Sequence, residues 1–394
     1  MEGIAYVDIA NLDFRGIPSY YAGRVLHPFA VRLVAAVFHL PIDARAFLWV
    51  SIAVLIIFFS SLGAYYGLEF SSAPEMWLLL AVTITVVDAY RNYYWHDLFH
   101  AALCALFFLA LRANWWTSLP IVLLLYVTRE STIVLVVALV AVTAFRRQWP
   151  FCLSALAVGL AGMGLESALV AHAVPNKHGI SMVLLDVLKI PFNFALNICG
   201  LEFWTNTNAA TTLAPKWIAS VPTWLHLGNI RQVGFSGFFW ELPARTLLLL
   251  STAFGILPLI VIRAARRGWG RLLLRRLDLS TACVYGTLMF VLAPLQGTIP
   301  SRYVLYGWPV FWIFGVATLE AAYRGWRRRI EIVALSACAA WIPAVVGLVT
   351  GPVPRGPESL SDVSRSGLLI SLALVVVIYI CGWRLAEPDK PPVE

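Results

Sequence analysis

Long apolar segments are the feature that most restricts the folds open to this chain. Several approach the roughly 20 residues that an α-helix needs to cross the hydrocarbon core of a bilayer. Uninterrupted segments of this kind lie at 46–68, 132–145, 150–171, 244–262, 279–295, 303–322, 331–350 and 367–383. Shorter or interrupted segments occupy 75–88, 97–111 and 115–127. Together they predict about eleven membrane crossings.

The composition supports the same class of protein. Hydrophobic residues make up 60% of the chain, charged residues only 13%, and the mean hydropathy is +0.79. These values exclude an ordinary soluble domain of this length. Because only helices and closed barrels satisfy their backbone in lipid, we predict an all-α, polytopic transmembrane helical bundle. It forms one integral membrane domain over 1–394, with its site carried by external loops.

Basic residues indicate which loops face the cytoplasm. Arginines cluster at 263–276, 324–329 and 146–147, and the positive-inside rule places these loops on the cytoplasmic side. This distribution also explains the net charge of +8 without a nucleic-acid partner. Counting spans from these anchors places the N-terminal segment, the turns at 90–97 and 128–131, and a long loop at 172–243 outside.

The polar N-terminal segment is unusual for an external loop. We predict that 1–45 lies outside and that 28–40, which is too short to span and carries Arg32, forms an interfacial helix. No cleavable signal peptide is evident. Either this segment translocates unaided, or a first span precedes Met1 in a longer form of the protein.

The segment 86–104 is rich in groups that bind substrates or metals. It contains Asp88, Arg91, His96, Asp97 and His100. His96 and His100 are four residues apart and share a helix face, as metal ligands often do. Two histidines are half of such a site, and the six scattered cysteines contain no CxxC. We therefore predict contacts to substrate or a structural role here, and no metal site.

Charged residues at the outer ends of other apolar segments are further candidates. Arg129 and Glu130, in the sequence TRES, lie between two apolar runs with little room for a solvated loop. They fit either a phosphate or hydroxyl contact, or a structural ion pair next to a helix cap at Ser131. Arg302 begins another apolar run, where an arginine suits bidentate phosphate recognition or interfacial anchoring. Glu166 fits a structural polar group as well as a functional one.

The order of these motifs resembles the polytopic GT-C glycosyltransferases, which use polyprenyl-phosphate-linked sugars. EGIAYVDIA (2–10) is similar to the acidic run in the family's first external loop, with Glu2 in place of aspartate, and RVLHP (24–28) is similar to its Arg…His-Pro segment. VTREST (127–132) and SRYVL (301–305) look like its Thr-Arg-Glu turn and its late Arg-Tyr. The resemblance covers most of the chain as an order of spans, although the helix that normally precedes the acid is absent.

The resemblance implies transfer of a sugar from a polyprenyl-phosphate donor to a glycan, lipid or protein acceptor. The protein would lie in a bacterial inner (plasma) membrane among lipids, with its active site outward. Such a reaction needs a carboxylate base, and cations or a divalent metal for the departing phosphate; no definite cofactor is indicated. The candidates are Asp8, Asp13 and Glu2 for the base, Arg24, Arg129 and Arg302 for the donor phosphate, and His27, Asp88, Arg91, His96, Asp97 and Glu130 for other substrate contacts. We expect a single displacement with inversion at the anomeric carbon.

Other classes of membrane protein stay open on the sequence alone. A transporter or flippase for a lipid-linked glycan would be expected to have an internal repeat and broken helices near the midplane. An O-antigen ligase or polymerase, or an acyltransferase using His96 or His100, would also place its chemistry at one membrane surface. A non-catalytic scaffold would not explain why acids and arginines gather on one side.

Overall fold

The protein is mostly helical. The computed structural model describes residues 2–15, 17, 19–69, 74–83, 86–87, 94, 96–171, 190–205, 216–222, 231–296, 304–350, 364–385 and 387–389. The helices of the N-terminal half are α1 (Glu2–Ala10), α2 (Ser19–Ala22), α3 (Leu26–Val37), α4 (Ala44–Glu69), α5 (Pro74–Leu78), α6 (Asp97–Ala113), α7 (Ser118–Tyr126), α8 (Thr132–Phe145) and α9 (Trp149–Val170).

The helices of the C-terminal half are α10 (Glu241–Phe254), α11 (Leu257–Arg266), α12 (Trp269–Leu273), α13 (Leu277–Gln296), α14 (Val316–Ala322), α15 (Trp326–Thr350) and α16 (Arg365–Leu385). Short 3₁₀ segments cover Leu79–Ala81, Trp115–Thr117 and Leu305–Gly307, and a π-helix covers Pro309–Gly315. Residues 190–197 are also helical.

The prediction of a mostly helical membrane protein is confirmed. Within the described residues, five helical segments are long and apolar enough to cross a membrane: Ala44–Glu69, Trp149–Val170, Leu305–Ala322, Trp326–Val346 and Arg365–Leu385. A sixth arises if α10 and α11 together form one bent span. Shorter apolar helical segments cover Leu26–Val37, Trp115–Tyr126, Thr132–Phe145 and Leu277–Leu292. The count of about eleven crossings stays a prediction, because length and composition identify five or six.

A sharp bend divides the apolar segment 244–262. The axes of α10 and α11 differ by 83°, and Gly255 between them has φ +54°, a conformation that glycine adopts readily. Ser336 on α15 packs so closely that a Cβ on Gly255 would overlap it. The Gly255 carbonyl accepts a hydrogen bond from the Tyr379 hydroxyl at 2.7 Å. The break is therefore held by α15 and α16 on either side.

A small sheet lies in the long loop predicted at 172–243. Strands β1 (Leu201–Thr205) and β2 (Trp217–Ser220) both pair antiparallel with β3 (Gln232–Phe238), giving the order β1-β3-β2. Phe203 lies opposite Phe235, with ring centroids 5.4 Å apart. The all-helical prediction did not include this sheet.

Two groups of polar contacts lie at opposite ends of α6. At one end, Arg112 and Arg276 both bind Glu69, and Arg276 also binds Asp278 at 2.6 Å. Asp97, at the start of α6, belongs to the other group and lies about 22 Å along the helix axis from Arg112. The residues near Glu69 come from segment ends that the positive-inside rule assigns to one side. The second group contains half of the candidate site residues.

Candidate functional site

The N-terminal segment packs against the turn that joins α7 and α8. The backbone N–H of Leu26 donates to the carbonyl of Val127 at 3.1 Å. Arg32, on α3, donates to the carbonyl of Ala10 at 3.0 Å and so holds the end of α1. Leu26 and Val127 are about a hundred residues apart in the sequence. Together, these two contacts bring the EGIAYVDIA motif close to the VTREST motif.

Arg24 and Glu130 form a bidentate ion pair across this contact. Arg24 Nε donates to Oε2 at 3.0 Å and Nη2 donates to Oε1 at 2.5 Å. The Arg24 side chain is 11% exposed and that of Glu130 is 50% exposed. Partial desolvation works against ionisation of the carboxylate, but the charges of Arg24 and Arg129 lower the pKa of Glu130 to about 2. Arginine recognises carboxylates and phosphates through this two-point geometry.

Arg129 is buried at the centre of a second set of contacts. Its Nη1 donates to Asp97 Oδ1 and lies 3.2 Å from His96 Nε2. Its guanidinium carbon is 4.1 Å from the ring centroid of Tyr306, within the range of a cation–π contact. Because arginine only donates, His96 Nε2 must accept, and Nδ1 then carries the proton that is shared with the Tyr6 hydroxyl at 2.8 Å. Thus α1, α6 and the 127–131 turn are joined by one polar chain.

His27 is enclosed by aromatic rings next to this chain. It is 1% exposed, and its ring centroid lies 5.4 Å from that of Phe47, 5.6 Å from Phe99 and 6.4 Å from Tyr6. Burial lowers the pKa of His27 to about 4, so the imidazole is neutral at pH 7. Its Nδ1 has no hydrogen-bond partner in the part of the chain that the structure describes. His27 can therefore bind a polar group, but it does not supply a positive charge for a phosphate.

The three candidate acids are placed differently. Asp13 forms a two-point contact with Arg15 at 2.9 and 3.0 Å; these hydrogen bonds lower the pKa of Asp13 to about 2, which makes it a weak base. Asp8 is half-buried on α1, and its carboxylate makes no hydrogen bond or ion pair with another described residue. Glu2 is the first residue of α1. Of Asp8 and Asp13, Asp8 is the carboxylate without an ion-pair partner among the described residues.

The structure brings some predicted site residues together and leaves others undescribed. Arg24, His27, His96, Asp97, Arg129 and Glu130 meet around the 127–131 turn. Asp8 lies on the same N-terminal helix as Tyr6, whereas Asp13 is outside the cluster and paired locally. Asp88, Arg91 and Arg302 lie outside the described residues.

Sequence reasoning missed two aromatic members of this site, Tyr6 and Tyr306. Tyr6 is fully buried and joins His96, while Tyr306 covers Arg129. Both lie in or beside motifs that the sequence had singled out, 2–10 and 301–305, but an aromatic residue in an apolar run is no signal by itself. His100 is also buried; its ring centroid lies 6.1 Å from that of Tyr306, and its Nδ1 is 3.8 Å from Cys104 Sγ.

The site can bind an anion but offers no evident metal cage. Among the described residues, no three histidine, cysteine or acidic side chains are grouped so that they could hold a metal ion. Two arginines are held in place by two carboxylates. A phosphate that binds here would therefore displace the carboxylates or share the arginines with them. Comparisons with known protein families, with characterised proteins and with solved structures find no match to this chain.

Proposed function

We propose that this protein is a GT-C-like membrane glycosyltransferase that moves a sugar from a polyprenyl-phosphate donor to a glycan, lipid or protein acceptor. The proposal includes about eleven crossings and an outward-facing site in a bacterial inner membrane. Its main support is one observation: Arg24 and Arg129, far apart in sequence, both act on the charge of Glu130 beside an N-terminal helix whose Asp8 makes no ion pair with a described residue.

The proposed reaction assigns each of these groups a part. Asp8 accepts the proton of the acceptor hydroxyl while the oxygen of that hydroxyl attacks the anomeric carbon. The bond from that carbon to the phosphate oxygen breaks, and the phosphate leaves with the electron pair. Arg24 and Arg129 stabilise the added negative charge. A single displacement of this kind inverts the anomeric centre, and a divalent ion is the alternative source of positive charge.

The position of the histidines does not favour the acyltransferase alternative. That reaction needs an imidazole with a ring nitrogen free to take a proton, but both ring nitrogens of His100 lie next to the Cys104 sulfur, at 3.8 and 4.0 Å. His96 is also already hydrogen-bonded at both ring nitrogens. The acids and arginines near α1 therefore remain the better candidates for chemistry.

Paired substitutions at Asp8 and Asp13 test the proposal. In a transfer assay with polyprenyl-phosphate sugars, we expect Asp8→Asn to lower kcat by about 10²-fold or more, as for loss of a general base. Asp13→Asn is expected to change kcat less than about threefold, because Asp13 is already paired with Arg15. Full activity in Asp8→Asn, or a product with retained anomeric configuration, would contradict the mechanism.

A further inference from the structure

Two polar side chains beside the Arg24–Glu130 pair have no partner among the described residues. Glu166 lies on α9, one turn before the helix ends at Val170, and is half-buried. Its carboxylate makes no hydrogen bond or ion pair within the described part of the chain. Tyr126, the last residue of α7, is 1% exposed, and its hydroxyl is buried without a hydrogen-bond partner.

The backbone of α9 brings these two groups to the same place. Gly162 and Glu166 are four residues apart and therefore share a helix face. A Cβ on Gly162 would overlap the ring of Tyr126, so this ring lies directly on α9. Glu166 lies on the next turn of α9 and faces Gly23 of the N-terminal segment. The ideal Cβ position of Gly23 is 3.1 Å from Glu166 Cγ and 3.4 Å from Oε1. Glu166 thus lies between the Tyr126 ring and the backbone next to Arg24.

Glu166 has no ion-pair partner among the described residues that would explain its position. It interacts electrostatically with Glu130, Arg24 and Tyr126, but Arg24 already has Glu130 as its bidentate partner. A second carboxylate close to Glu130 adds repulsion. A buried hydroxyl without a partner also costs free energy. A ligand that brings hydroxyl groups to this place would supply the Tyr126 hydroxyl with a hydrogen-bond partner.

We propose that Glu166 and Tyr126 bind hydroxyl groups of the donor sugar while Arg24 contacts its phosphate. This inference rests on the proposed function and adds to it the residues that recognise the sugar. The Glu166 carboxyl group exchanges hydrogen bonds with sugar hydroxyls, and Tyr126 exchanges a hydrogen bond with a further hydroxyl. Gly23 lets the backbone next to Arg24 approach Glu166 closely, since a Cβ there would lie 3.1 Å from Glu166 Cγ.

Binding of lipids with and without a sugar tests this assignment. The full-length protein in detergent is titrated with polyprenyl monophosphate and with the same lipid carrying glucose, galactose, mannose or arabinose. We expect wild type to bind at least one glycosylated lipid more tightly than the bare lipid. Glu166→Gln and Tyr126→Phe should each weaken that binding about tenfold or more and leave the bare lipid unchanged. Glu331→Gln, which alters an exposed ion pair, is the matched control.

The possible results separate the two levels of the proposal. Equal weakening for both lipids, unchanged binding in both variants, or no wild-type preference for any glycosylated lipid would each overturn the role of Glu166 and Tyr126. Failure of wild type to bind any of these lipids would overturn the proposed function itself. Melting temperatures in detergent identify a variant that has lost its fold. If one of Glu166→Gln and Tyr126→Phe does so, the binding data of the other variant test the proposal.

Discussion

At the scale of single residues, the site is a balance between two arginines and two carboxylates. Arg24 pairs with Glu130 and Arg129 pairs with Asp97. The second pair is the more buried, at 7% and 6% side-chain exposure. A buried pair adds little stability over apolar packing, but loss of one partner leaves an uncompensated charge. Glu130 and Asp97 therefore fix the positions of Arg24 and Arg129, and loss of either carboxylate would leave a guanidinium without its charged partner.

The Arg24–Glu130 pair predicts a specific dependence of stability on pH. The pKa of Glu130 is lowered from 4.5 to about 2 in the folded protein. A lowered pKa means that the ionised carboxylate stabilises the fold above about pH 4.5, and that this contribution is lost as the pH falls towards 2. We expect the difference in melting temperature between wild type and Glu130→Gln to be largest near neutral pH and to shrink between pH 5 and about 2.5.

The exposed pair Arg327–Glu331 provides the control for this experiment. Its side chains are 94% and 36% exposed, so Glu331→Gln should change the melting temperature little at any pH. A Glu130→Gln difference that does not vary with pH would show that the Glu130 charge makes no contribution in the folded state.

At the scale of helices, the break between α10 and α11 depends on one glycine. Gly255→Ala would place a methyl group against Ser336 in a backbone conformation that disfavours Cβ. Since overpacking typically costs about 1–3 kcal/mol, we expect a clear loss of thermal stability in detergent. Gly268→Ala is the matched control, because Gly268 also has positive φ (+92°) but has no atom within 4 Å of its ideal Cβ. Equal losses in the two variants would mean that backbone strain alone, without contact with α15, sets the cost.

At the scale of the whole molecule, the C-terminal tail is bound to the same basic loops that the positive-inside rule assigns to the cytoplasm. The Trp269 indole donates to the Asp389 carbonyl at 2.8 Å, and the Arg324 N–H donates to the Asp389 carboxylate at 2.8 Å. Arg267 pairs with Glu387 at 2.5 Å. The tail and the loops at 263–276 and 324–329 therefore lie on one side of the protein.

Reporter fusions test the orientation that follows. A fluorescent protein that matures only in the cytoplasm should be fluorescent when fused after Glu394. An alkaline phosphatase that is active only outside the cytoplasm should be active when inserted after residue 200, within the predicted 172–243 loop. The opposite pattern would invert the topology and place the Arg24–Glu130 site on the cytoplasmic face.

Much of this architecture can be predicted from the sequence because lipid imposes strict rules on backbone and charge. The apolar segments 46–68, 150–171, 331–350 and 367–383 correspond closely to α4, α9, α15 and α16, since each must satisfy its backbone within the bilayer. The same rules do not predict the bend at Gly255 or the sheet of β1, β2 and β3. Those features depend on neighbouring side chains and on strand pairing between segments distant in sequence.

The sequence by itself determined the class of protein, the main helical segments and the group of charged residues worth testing, because hydropathy and charge act locally along the chain. Only the tertiary structure decided which of those residues meet. It paired Arg24 with Glu130, linked Tyr6 through His96 to Arg129, and left Asp8, Glu166 and Tyr126 without described partners. These relations depend on the packing of α1 and α9 against the 127–131 turn, and such long-range contacts are not encoded in any single motif.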